Sequence, residues 1–293
     1  MGKVYEALKR AEEQRSKLRA DRGGAPGRRP AIQSDLTTLE PERPSGAVPV
    51  KPTDEGRGHH LSRDQEKRLS EEAGALNKRR ISLLHPDSFV AEQFRSLRTR
   101  IESIAAQQPL RTIAVTSALP SEGKTTSAVN LALVTAMSLQ SKVILVDCDL
   151  REPTVHRSLG ISAKAGLGEV LAGTAEISDA IARVYDTGLD VMPVAQRPPN
   201  PSELLSSGRM RDVLEELSTN YDRVILDVPP TLGLPDAKVI SELCDGVVFV
   251  VRADVTAREE VRSALEILDR RRVLGLVLNW TQTKPEHYGY YGR

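Results

Sequence analysis

The chain has 293 residues with 41 Lys/Arg, 40 Asp/Glu, 39% hydrophobic and only 3% aromatic residues. No apolar run approaches the about 18 residues needed to cross a bilayer, and no apolar segment follows the N-terminal charges. The two cysteines, Cys148 and Cys244, have no metal-ligand spacing and are too few for a disulfide framework, so composition points to a cytoplasmic protein rather than a spanning or secreted one.

The formal net charge of +1 averages two unlike parts, for residues 1–80 carry 18 Lys/Arg against 13 Asp/Glu and residues 81–293 carry 23 against 27. The opening residues 1–20 read as a short helix, with Val4, Leu8 and Ala11 at helical spacing. Glu6 breaks the myristoylation pattern that Gly2 suggests. Residues 21–85 turn to Gly, Pro, Arg, Ser and Glu without apolar periodicity; such a segment buries too little surface to offset its conformational entropy and reads as a disordered linker. Its basic excess lacks the aromatic interleaving or long Lys/Arg run of a nucleic-acid binder.

Order is expected from residue 86 to 284. Val90, Phe94, Leu97, Ile101 and Ile104 share one helical face, with Glu92, Arg95, Arg98 and Glu102 opposite. Strand-like runs then alternate with helical ones: 112–116 and 125–139, 142–146 and 166–172, 189–193 and 201–217, 223–226 and 238–244, 246–251 and 257–271, and last 273–278. Continuous apolar strands alternating with helices predict an α/β domain, a parallel sheet with helices on both faces.

Within that pattern Ser117-Ala-Leu-Pro-Ser121-Glu122-Gly123-Lys124-Thr125-Thr126 follows a predicted strand and opens a helix, the context of a P-loop. There backbone amides of residues 121–125 face phosphate, Lys124 reaches the β and γ oxygens, and the Thr125 hydroxyl meets Mg²⁺. The next strand ends in Asp147-Cys-Asp149-Leu-Arg151 and a later one in Asp227-Val-Pro-Pro230. Strand ends line the ligand crevice of an open parallel sheet, so Lys124, Thr125, Asp147, Asp149 and Asp227 compose a Mg–ATP site of the P-loop NTPase type. Asn279 ends the last predicted strand, where it either reads the adenine edge or merely terminates the strand. At the far end, residues 285–293 hold Tyr288, Tyr290 and Tyr291, half of the six tyrosines in the chain. A Gly- and Tyr-rich chain end has little to pack against and reads as a phosphoacceptor tail.

These motifs resemble those of the bacterial tyrosine kinases, the P-loop autokinases of capsule and exopolysaccharide synthesis. Ser117 to Thr126 is similar to their Walker A, the Asp147–Arg151 stretch to Walker A′, and Ile225 to Pro230 to Walker B. Asp236-Ala237, Pro198 to Leu205 and Gly166 to Gly173 also resemble the family, and Tyr5 to Leu8 looks like the start of exosortase-associated members. The resemblance implies ATP and Mg²⁺ as cofactors, with Asp147 orienting or deprotonating the incoming tyrosine and Arg151 either stabilising transferred charge or binding the acceptor loop. It implies that Glu92, Arg95 and Arg98 join neighbouring domains in a ring, although a solvated helix face explains the same charges. It further implies a membrane chain-length protein as activator at the inner face of the membrane, and a cognate tyrosine phosphatase. The rival is a partition- or septum-type ATPase switch; those proteins carry an extra lysine early in the P-loop, where this chain has Leu119.

Overall fold

The computed structural model describes residues 85–138, 141–184 and 187–281. The expected helix of 1–20, the linker up to residue 84 and the tyrosine tail lie outside the described residues. Among those described, no helix is long and apolar enough to cross a membrane.

In chain order the elements are α1 (Phe89–Ala105), β1 (Thr112–Ser117), α2 (Lys124–Ala136), β2 (Val143–Asp147), α3 (Val155–Leu159) and α4 (Leu167–Ala172). After a 3₁₀ turn at Ile177–Ala180 come β3 (Ala182–Val184), β4 (Leu189–Met192), α5 (Pro201–Leu205) and α6 (Gly208–Asn220). β5 (Arg223–Asp227), α7 (Asp236–Leu243), β6 (Gly246–Arg252), α8 (Arg258–Ile267) and β7 (Val273–Asn279) complete the series. The strands form one sheet in the order β3-β4-β2-β5-β1-β6-β7. All pairs are parallel except the edge pair β3 and β4.

Strand alternation divides the core into two layers. Ile113, Val115, Leu145, Ile225, Val248 and Val250 point to one face, where they pack with Val129 and Leu133 of α2 and Ile101 of α1. Ala114, Ile144, Val146, Leu226 and Phe249 point to the other, against Leu167 of α4, Met210 and Leu214 of α6, Ile240 of α7 and Val261 of α8. Burial on both faces explains why the central strands read as unbroken apolar runs, each large side chain contributing about 1.5–3 kcal/mol. α2 is buried from Lys124 to Thr135 apart from Thr126, because α1 covers its outer side.

β1 lies between β5 and β6, so the chain leaves it in opposite directions. From β1 it crosses β5 to reach β2, and from β5 it later crosses β1 to reach β6. The loops at the carboxyl ends diverge there and open a crevice, the place where ligands sit in open α/β sheets.

Three features depart from the sequence expectation. The helix expected over 201–217 is two helices, because Ser207 starts a new one: its hydroxyl accepts from the Met210 amide at 3.3 Å, as an N-cap does. The edge strand β3 is antiparallel and three residues long, too short for alternation to register. The one-turn helix α3 ends at Gly160, whose φ of 65° closes it.

At the opposite end of the sheet, Asp245 fixes the start of β1. Its Oδ2 accepts from the backbone amides of Arg111 (2.7 Å) and Thr112 (2.8 Å) and from the Thr112 hydroxyl, and the Asp245 amide donates back to that hydroxyl at 2.8 Å. Asp245→Ala strips two backbone amides of their acceptor and is expected to lower unfolding free energy by about 1–3 kcal/mol, read as a shift of the urea midpoint at unchanged slope.

Candidate active site

Between β1 and α2 the chain bends back through Ser121, with φ 64°, and Gly123, with φ 96°. Gly123 is required twice over: its φ is left-handed, and a Cβ there would stand 2.0 Å from the Asn279 amide nitrogen. No side chain caps the first turn of α2 and no acidic residue lies in it, so its amides are open to an anion and its dipole favours one. Ser121 is exposed at the bend, and Thr126 is half-buried in the first turn of α2.

Lys124 is the first residue of α2 and is buried. Its Nζ donates to Asp149 Oδ2 at 2.7 Å and lies 3.8 Å from Asp227 Oδ1. Burial alone would lower its pKa, but the Asp227 and Asp149 carboxylates outweigh that and hold it above the ordinary value of 10.5, so it stays a cation. Beside it the Thr125 hydroxyl donates to Asp227 Oδ2 at 2.6 Å. Thr154 points its own hydroxyl at Thr125, 3.2 Å away, a contact for which its sequence offers no signal beyond following Pro153.

The two aspartates after β2 divide their work. Asp147 is fully buried and accepts from three backbone amides, those of Asp149 (3.2 Å), Thr154 (3.1 Å) and Val155 (3.1 Å). It thereby shapes the loop that presents Asp149 to Lys124. Burial, reinforced by the Asp227 charge, pushes the Asp147 carboxyl well above the usual range. Arg151 turns away from Lys124: its Nε donates to Asp236 Oδ2 at 3.0 Å and its Nη2 to Ser202 at 2.8 Å, while Ser202 donates to Asp236 Oδ1 at 2.6 Å. The A′ stretch, α5 and α7 are thus joined by side chains from three separated parts of the sequence.

The side chains of Glu122, expected in the phosphate loop, and Asn279, expected at the adenine edge or as a strand end, make contacts within the protein. The Glu122 carboxylate accepts from the Leu119 amide at 2.7 Å with one oxygen and from the Thr256 hydroxyl with the other, tying the loop to the segment after β6. Asn279 donates its side-chain amide to Glu122 O at 2.9 Å, and its Oδ1 accepts from the Trp280 amide at 3.0 Å. Of the charges on α1, Arg98 reaches inward to donate to Val134 O of α2 at 2.7 Å. Glu92 and Arg95 pair with each other, and Arg95 also donates to Pro86 O at 2.7 Å. The tail tyrosines Tyr288, Tyr290 and Tyr291 lie outside the described residues.

The donor set suits a magnesium nucleotide. Among the described residues no three His, Cys, Asp or Glu stand together as a closed metal cage. Mg²⁺ asks for no such cage, being held by one or two carboxylates, a hydroxyl and substrate phosphates, which Thr125, Asp149 and Asp227 beside an uncapped helix N-terminus can complete.

Comparison with known proteins agrees with this geometry. The profile of the AAA domain family matches residues 110–272. The tyrosine-protein kinase YwqD of Bacillus subtilis is 38% identical over 215 residues, which span 72% of this chain and 90% of that protein. Tyrosine-protein kinase wzc of Salmonella typhimurium is 34% identical over 71% of this chain, but the match spans only 29% of wzc. Among solved structures, the kinase domain of the Escherichia coli tyrosine kinase ETK superposes with a TM-score of 0.63 at 33% identity, covering 70% of this chain and 82% of that one.

Two substitutions probe the site. Gly123→Ala forces about 1–3 kcal/mol of backbone strain into the loop and is expected to weaken Mg–ADP binding about tenfold or more in calorimetry while the far-ultraviolet circular dichroism is kept. Asp147→Ala leaves three amides without their acceptor and is expected to cost about 2–4 kcal/mol of stability in urea unfolding.

Proposed function

Because the chain belongs to the bacterial tyrosine kinase family, and so is an ATP-dependent protein-tyrosine kinase, we propose that it phosphorylates Tyr288, Tyr290 and Tyr291 on a neighbouring copy of itself and so regulates exopolysaccharide synthesis or export. One observation carries the reading: Lys124, set at the uncapped N-terminus of α2, lies against carboxylates delivered by β2 and β5 at one end of the sheet.

Bound Mg²⁺ would supply charge neutralisation at the transferring phosphoryl group, held by Thr125, Asp149 and Asp227. The amides of residues 121–125 cradle the β-phosphate. Lys124 leaves Asp149 to neutralise the β and γ oxygens, and its persistent positive charge makes it fit for that at any physiological pH. We assign orientation of the incoming tyrosine hydroxyl to Asp149 in preference to Asp147, which the family resemblance put forward, since Asp147 is held by three backbone amides, whereas Asp149 accepts from one, that of Glu152, and its other oxygen is released when Lys124 turns to phosphate. A tyrosine near pKa 10 profits from such an acceptor, and in a loose transition state the gain is chiefly positional. Arg151, fixed by Asp236 and Ser202, lies on the A′ loop and offers its remaining donors to the acceptor segment.

Assembly follows from charge. The exposed Glu92–Arg95 pair on α1 is the surface offered to a neighbouring domain, while Arg98 holds α1 on α2. Each phosphotyrosine adds about −1.5 to −2 charges, so a modified tail is repelled by its own groups and by the acidic cleft, and the ring dissociates. Activation falls to a membrane chain-length protein, which places the kinase at the inner face of the membrane, and a tyrosine phosphatase resets it.

The deciding experiment incubates the full chain, with the cytoplasmic segment of its activator, in γ-labelled ATP and Mg²⁺. Wild type is expected to label itself, Lys124→Ala to lose roughly a hundredfold or more of that rate, and the Tyr288, Tyr290 and Tyr291 to Phe variant to carry no tail label. Release of free phosphate with an unlabelled chain would instead identify a switch ATPase. Size-exclusion before and after phosphatase treatment is expected to show the larger assembly only for the dephosphorylated chain.

A further inference from the structure

The sheet is chemically lopsided about β1. The carboxylates beside Lys124 all come from the side of β5 and β2: Asp227, Asp147 and Asp149. On the other side β6 and β7 end in Arg252 and Asn279, and the chain continues into Trp280. A nucleotide whose phosphates sit on α2 and whose γ-phosphate meets those carboxylates has only the β6 and β7 side left for its base.

That side holds an unusual surface. Trp280 is 67% exposed, Val255 63% and Leu278 42%, half of the exposed large apolar residues among those described. Trp280 adopts φ 61°, a left-handed conformation that a bulky residue takes only under constraint. Among the described residues the non-glycine residues with positive φ are Ser121, Asp254 and Trp280, and all three belong to one linked assembly. Glu122 ties the P-loop to Thr256, Asn279 ties it to β7, and the Ala253 amide donates to Asn279 O at 2.8 Å. The strain at Trp280 is therefore imposed by the same contacts that set the phosphate loop.

One face of the indole is already engaged, because the Arg252 guanidinium carbon lies 5.0 Å from the ring centroid. The Arg252 Nε is buried without a hydrogen-bond partner among the described residues, so the side chain is held there by packing and by the ring. An aromatic ring backed by a cation and open on its other face binds a π-system by stacking.

We propose that Trp280, backed by Arg252, is the shelf on which the base of the bound nucleotide stacks, and that this chain reads the base by its face. This rests on the nucleotide occupying the P-loop as described above. Asn279, whose amide already donates to Glu122 O, acts as the strut that sets the height of the shelf. Stacking is tolerant of which purine is present, since both present a π-face, so discrimination between adenine and guanine is weak.

Trp280 is the single tryptophan of the chain, which gives a direct readout. Titration of the full chain with Mg–ADP is expected to quench its emission to saturation, and Mg–GDP to do so within a few-fold of the same affinity. Mg–triphosphate, which has no base, should bind without comparable quenching. By calorimetry Trp280→Ala is expected to bind Mg–ADP about tenfold more weakly while binding Mg–triphosphate like wild type, and Trp280→Phe should stay within a few-fold of wild type for both. Unchanged Mg–ADP affinity in Trp280→Ala, or equally deep quenching by Mg–triphosphate, overturns the shelf. Rejection of Mg–GDP overturns reading by the face, and quenching that follows protein concentration without nucleotide makes Trp280 a contact between copies. Mg–ADP binding that needs Lys124 but not Trp280 sinks the shelf alone, whereas intact binding with no tyrosine labelling sinks the kinase reading alone.

Discussion

A buried ammonium between two carboxylates holds the centre of this protein together. Lys124 stands at the point where α2 begins, and its contacts to Asp149 and Asp227 draw in the ends of β2 and β5. An unpaired charge there would be expensive to bury, so the three groups must be present together. On the proposed reading the same arrangement is the resting form of a phosphate site, in which the carboxylates hold the cation in place until phosphate oxygens compete for it. Stability of the crevice and readiness for nucleotide come from the same atoms.

Around that centre the start of the phosphate loop is held by the segment after β5, whose Thr231 and Leu232 amides donate to Ser117 O and Ala118 O, and its Glu122 half is braced from the other side. Glu122 and Asn279 fasten it to the ends of β6 and β7, and Asn279 fills the space that any Cβ at position 123 would need. On the β2 and β5 side the loop meets Asp149 and Asp227, the groups that on the proposed reading exchange partners when nucleotide arrives. The strained residues Ser121 and Gly123 lie between the braced half and the exchanging half, where left-handed backbone is the geometric requirement of bringing amides around a phosphate.

Much of this was legible in the sequence because burial and periodicity report on each other. Strands covered on both faces must be continuously apolar, so β1, β2, β5 and β6 are visible as runs such as Val143 to Val146, and the position of Gly123-Lys124-Thr125 between strand and helix identifies the loop. Illegible were features that depend on distant partners. The Arg98 side chain looks like part of a solvated face, yet it crosses to Val134 O on another helix. Glu122 looks like a loop residue beside phosphate, yet its carboxylate serves Leu119 and Thr256. Spacing reveals which face a residue occupies but not which groups from elsewhere in the chain await it there. The pair Asp147 and Asp149 shows the same limit: separated by one residue and chemically identical, they differ because only one meets the amides of Thr154 and Val155.

The Arg151, Ser202 and Asp236 cluster joins the loop bearing Asp149 to α5 and α7, two helices that do not themselves touch Lys124. Those helices and the nucleotide crevice therefore share a common mechanical element. Free-energy coupling between two sites is reciprocal. A partner that grips α5 or α7 and thereby alters nucleotide affinity must, by the same factor, be gripped differently when the crevice is filled. A molecule bound to α5 or α7 through such a coupling would sense the occupancy of the crevice without entering it.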